Sequence, residues 1–91
     1  MPTIKHLRIR GRVQGVGYRY HMQRLARDLA VTGWVRNRRD GSVEAIVAGA
    51  NDAVEQIVAW AKRGPAHAVV TAVEVSDDSG NFVGFEMLPT V

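Results

Sequence analysis

The chain contains no cysteine. That excludes disulfides, thiolate catalysis and cysteine-ligated zinc. No apolar run approaches the ~20 residues of a membrane-spanning helix, and the first ten residues, MPTIKHLRIR, lack the apolar core of a signal peptide. These absences predict a soluble, cytoplasmic protein. Histidine is also scarce. His6, His21 and His67 fall on different segments with no i, i+4 pair, so no metal site is expected from them. Acidic residues are sparse in the first forty positions, where two stand against ten Lys/Arg, a balance of +8. The remaining residues carry seven Asp/Glu against two Lys/Arg, a balance of −5. A potential polarised in this way steers anions toward one side of a small molecule. Nucleic acid, a small phosphorylated substrate and a merely solvated basic face all remain open on charge alone.

What is present suits one small globular unit. Ninety-one residues with 46% apolar and 23% charged content allow one domain over residues 1–91 with a modest core. No linker, repeat or low-complexity segment divides it. Leu7, Ile9 and Val13 alternate with Arg8, Arg10 and Arg12, the period of a half-buried strand. From Tyr18 the period lengthens: Tyr18, Met22, Leu25, Ala26 and Leu29 form one face of a helix, with Gly33 expected to stop it. WVRN reads as a short strand, RRDG as a tight Asp-Gly turn, and SVEAIVAG as a third strand. NDAVEQIVAWAKRG predicts a second helix with an Asn/Asp cap, apolar at Val54, Ile57, Val58 and Ala61 and ended by Gly64-Pro65. AVVTAVEVS and FVGFEML supply the last two strands. The order is β-α-β-β-α-β with one strand appended. It predicts an α+β, ferredoxin-like two-layer sandwich: an antiparallel sheet covered on one face by two helices.

The segment GRVQGVGYR, Gly11 to Arg19, joins the first strand to the first helix. Glycines there let the backbone approach a ligand closely. Successive N–H groups running into a helix N-terminus form an anion-binding concavity, and the forked guanidinium of Arg19 can close over the same anion. The plainer alternative is a tight turn with a solvated arginine. A P-loop is excluded, because no Lys-Ser/Thr pair follows the glycines. A second constellation, GWVRNRRDGSVEAIVAG, begins fourteen residues beyond Arg19. Its Asn37 ends a short strand before Asp40-Gly41 and reads either as a turn residue supporting its own backbone or as an amide that holds a water.

Together the two segments resemble the two signature motifs of the acylphosphatase family. The first is matched by Gly11, Val13, Gln14, Gly15, Val16, Gly17, Tyr18 and Arg19, the second by Gly33, Trp34, Val35, Asn37, Asp40, Gly41, Val43 and Gly49. The resemblance implies an enzyme that hydrolyses the carboxyl-phosphate bond of small acyl phosphates, giving a carboxylate and inorganic phosphate without metal, cofactor or phosphoenzyme. It implies that the backbone of Gln14, Gly15, Val16, Gly17, Tyr18 and Arg19 cradles the phosphate, that Arg19 binds it, and that Asn37 positions the attacking water. It further implies a monomer with no nucleic-acid or membrane partner. The chain departs from the pattern at Arg38, where many relatives carry threonine, so a cation is expected near the mouth of the site. Pro65-Ala66 stands where the family usually has two prolines. The C-terminal FEMLPTV is also less typical, with Pro89 limiting further strand pairing.

The competing reading is an RNA-binding sheet, a topology compatible with the same element order. GNFVGFEM echoes the aromatic signature of that class. It lies on the last strand, however, and the third strand has no aromatic residue to stack on a base.

Overall fold

The computed structural model describes residues 2–91; Met1, the first residue of the expected unit, lies outside the described residues. The elements are β1 (Thr3–Arg12), α1 (Tyr18–Asp28), β2 (Thr32–Asn37), β3 (Val43–Gly49), α2 (Asn51–Ala61), β4 (Val69–Asp77) and β5 (Phe85–Met87). One sheet runs in the order β4-β1-β3-β2-β5. The first four strands pair antiparallel, as the pattern predicts. The appended strand differs: β5 has three residues and runs parallel to β2, with Gly33 opposite Phe85 and Val35 opposite Met87, so the sheet is mixed.

Both helices lie on one face, and the core fills the space beneath them. Leu7 and Ile9 of β1, Val35 of β2, Val43, Ala45 and Val47 of β3, and Phe85 of β5 face Tyr18, Met22 and Ala26 of α1 and Val54, Ile57 and Ala61 of α2. Each of these side chains is buried. At ~25 cal/mol per Å² of apolar surface, this shared layer is the main favourable term of the fold. β3 is buried on both faces, because β1 and β2 flank it and their long polar side chains cross its uncovered side. β4, at the edge, leaves most of its residues exposed.

Three expected boundaries move. α1 ends at Asp28, not near Gly33. Ala30 takes a left-handed φ of 57°, and the N–H groups of Ala30 and Val31 donate to the carbonyls of Arg27 and Ala26. That is a Schellman stop with alanine in the seat usually held by glycine. Gly33 instead lies inside β2, where a Cβ would stand 1.9 Å from the carbonyl oxygen of Ile46. Close strand approach explains that glycine. The cap of α2 is Ala50, without a side-chain hydrogen bond; Asn51 and Asp52 are its first two helical residues, and Asp52 accepts only from the adjacent Ala53 N–H, at 2.9 Å. Asp40-Gly41 belongs to a five-residue connection between Asn37 and Val43, one residue longer than the RRDG turn expected, because Ser42 stays outside β3.

Candidate active site

The loop from Val13 to Gly17 carries the chain from β1 into α1. Gly15 and Gly17 both have φ in the left-handed region, 74° and 79°. At Gly15 a Cβ would meet nothing within 4 Å, so the dihedral angle, not space, calls for glycine. Gly17 is also the cap of α1, with φ 79° and ψ 16° and no side-chain capping bond, and no acidic residue occupies the first turn. The opening N–H groups of the helix therefore have no side-chain cap to accept them, and the positive end of its dipole faces outward.

A cleft of about 290 Å³ opens there, with Gly15, Gly17, Arg19 and Asn37 in its walls. The two ends of the sequence pattern thus meet in one place. Arg19 is half-buried. Among the described residues its guanidinium has no ion-pair partner. Asn37 reaches the cleft through strand alternation: Val35 and Asn37 point to the helix side of β2, while Trp34 and Arg36 point to the open side. Its Oδ1 is buried and lacks a hydrogen-bond partner among the described residues. Leaving a buried acceptor unmade costs ~1–3 kcal/mol.

Asn37 does not support the turn that follows it. Asp40 performs that task, its Oδ1 accepting from the Ser42 N–H at 2.9 Å and the Ser42 hydroxyl at 2.6 Å. Those bonds, with Arg8 and Arg10 nearby, hold the Asp40 carboxyl below its ordinary value. Arg38 does not place its cation at the mouth as expected. Its guanidinium turns to the open face and donates to Glu44 Oε1 at 2.8 Å, beside Arg36 at 2.9 Å on the same oxygen. His6 Nε2 lies 2.6 Å from the other oxygen. Burial alone would raise the Glu44 carboxyl, but hydrogen bonds from His6, Arg36 and Arg38 and the Arg36 charge bring it down to about 2. One carboxylate therefore ties the residues on both sides of Asn37.

The sequence names Gln14 for its backbone, yet its side chain has a second role. Gln14 Nε2 donates to the carbonyls of Arg38 at 2.7 Å and Ser42 at 2.9 Å, clamping the loop after Asn37 to the glycine loop. Tyr18, also in the expected cradle, turns its ring into the core, packs 5.0 Å from Trp60 and donates to the Ala61 carbonyl at 2.7 Å. Burial pushes its phenol upward. Val16 packs against the core. The C-terminal segment adds a support that the sequence did not reveal: the Leu88 N–H donates to Val35, the Val91 N–H to Asn37, and the Arg39 N–H to Val91. Pro89 ends the ladder but not the attachment. Trp34 lies on the open face, under the Arg36 guanidinium at 4.6 Å, and does not line the cleft. Among the described residues no group of three His, Asp or Glu side chains is arranged to hold a metal, and no helix is long and apolar enough to cross a membrane.

The family model described as acylphosphatase matches residues 5–87. The acylphosphatase of Azoarcus sp. (strain BH72) is 58% identical over 85 residues, covering 92% of this chain and 87% of that protein. An acylphosphatase structure from Coxiella burnetii superposes with a TM-score of 0.92 at 31% identity, covering 96% of this chain and 93% of that one. The Bacillus subtilis acylphosphatase structure gives a TM-score of 0.90 at 33% identity, with coverage of 97% and 99%. Hydrolysis of acyl phosphates is the activity of this group. A match over nearly the whole chain, in sequence and in fold, shows that the chain belongs to the acylphosphatase family.

Proposed function

We propose that acyl phosphate hydrolysis runs here through a cradled phosphoryl group and a water oriented by Asn37. The N–H groups from Gln14 to Arg19, the helix dipole and the Arg19 guanidinium hold the phosphoryl oxygens. Asn37 Oδ1 accepts a hydrogen bond from the attacking water and aims its oxygen at phosphorus. As the new P–O bond forms, the bond from phosphorus to the carboxyl oxygen breaks and the carboxylate departs with that electron pair. The cleft walls contain no carboxylate and no imidazole. The proton of the water therefore passes to a phosphoryl oxygen, and the products are a carboxylate and dihydrogen phosphate. Acyl phosphates are already activated, so orientation and charge stabilisation suffice.

The observation that carries this reading is that Asn37, whose buried Oδ1 has no partner among the described residues, lines the same cleft as Arg19, which has no ion-pair partner among them. The nucleic-acid reading has less support. Arg8, Arg10, Arg36 and Arg38 already face Asp40, Glu44 or Glu74, which leaves a polyanion few free cations on the open face.

Phosphate release from acetyl phosphate with EDTA present tests the roles. Arg19→Ala is expected to lose both turnover and phosphate binding. Asn37→Ala is expected to lose ~10²–10³ in kcat, the scale for one aligned polar group, while phosphate still binds. Full activity in either variant would remove that residue from the mechanism.

A further inference from the structure

The cleft has a second half that phosphate does not use. Beyond Arg19 and Asn37 its wall is completed by Tyr20 and Met87, which are 51% and 41% exposed, large apolar side chains open to solvent. Their convergence has a structural cause. Tyr20, Gln23 and Arg27 recur at helical spacing on the side of α1 that faces β5, and Gln23 Nε2 donates to the Phe85 carbonyl at 2.9 Å. Met87 lies opposite Val35 in the parallel ladder, so its side chain stands on the helix side, next to α1. The ring of Tyr20 is itself held: His21 meets it edge-on with centroids 5.5 Å apart, and the Arg24 guanidinium lies 6.0 Å from its centre. Apart from Arg19, no side chain lining the cleft is charged.

We propose that Tyr20 and Met87 form the acyl subsite and that the enzyme selects uncharged, apolar acyl groups. The inference rests on the phosphoryl placement proposed above. With the phosphoryl group in the cradle, the acyl carbon points out of the loop, and the next surface it meets is a phenol ring and a thioether. A planar ring or aliphatic chain displaces water from both. An acyl group carrying a second carboxylate finds no free cation inside the cleft and gives up hydration without replacement.

The test compares kcat/KM for benzoyl phosphate and acetyl phosphate in the wild type, Tyr20→Ala, Met87→Ala, the double variant and Tyr20→Phe. Both positions are half-exposed, so folding is expected to survive, with circular dichroism as the check. Each alanine variant should lower the benzoyl-to-acetyl ratio by about three- to tenfold, the scale of lost apolar pocket contacts, mainly through KM for benzoyl phosphate. Tyr20→Phe, which keeps the ring, should restore the ratio to within about twofold of wild type. A double variant with the wild-type ratio, still releasing phosphate, would overturn the subsite and leave the hydrolytic mechanism standing. A wild type that releases phosphate from neither substrate would overturn the mechanism and the subsite with it.

Discussion

Gln14 and Asn37 lie on opposite sides of one connection and divide its tasks. Asn37 lines the cleft with an acceptor that has no partner among the described residues, while Gln14 holds the chain that follows it by two main-chain carbonyls. Gln14→Leu keeps the bulk and removes both donors, a loss of ~1–3 kcal/mol of local order. The expected outcome is a fall in kcat of about tenfold, while the inhibition constant of inorganic phosphate moves less than about threefold. Steady-state kinetics with phosphate as competitor reads both numbers. At this scale Arg19 and Asn37 were legible as candidates, because their residue types and spacing follow a known pattern. The clamp was not, since its partners are main-chain oxygens 24 and 28 positions away and leave no mark in composition. Arg38 shows the same limit. A cation was visible in the chain, but strand parity and the carboxylate across β3 decide where it goes.

The connection after α1 shows how an element can stop without an obvious signal. Ala30 occupies a left-handed position, which costs an L-residue about 1–2 kcal/mol and is accepted for the two carbonyl bonds that close the helix. Ala30→Gly should relieve part of that cost and raise the unfolding free energy by about 0.5–1 kcal/mol, measurable in urea melts. Alanine is a strong helix former, so nothing in the letter itself ends α1 at Asp28. Gly33, the expected stop, is constrained by the neighbouring strand instead. The long amphipathic elements were legible because burial imposes a period on them: Tyr18, Met22 and Ala26 are buried on α1, and Val54, Ile57 and Ala61 on α2. β5 was the least legible. Three residues give no period, and its direction is set by a long crossing from β4 that local sequence does not encode.

For the molecule as a whole, folding pairs part of the uneven charge of the chain. Arg8, Arg10, Arg36 and Arg38, all from the basic half, meet Asp40, Glu44 and Glu74 across the open face of the sheet. Glu44 is the buried centre of this network, and its carboxyl falls from 4.5 to about 2. A carboxyl lowered by folding stabilises the native state fully above its unfolded value, and that contribution is lost as pH falls toward the folded one. The stabilisation is about 3 kcal/mol on this scale. The wild type should therefore exceed Glu44→Gln most clearly above pH 4.5, and the gap should shrink steadily toward pH 2. Urea denaturation of the two proteins across that range would show the convergence, and a constant gap would contradict the assignment. The uncapped start of α1 carries a different consequence. In the mechanism proposed above, its cradle would grip the one group that substrate and product have in common, so the anion alone would not tell an arriving molecule from a departing one. That discrimination would then fall to the other end of the cleft, where the severed acyl group would leave the ring of Tyr20 and the phosphate would be left with a single handhold.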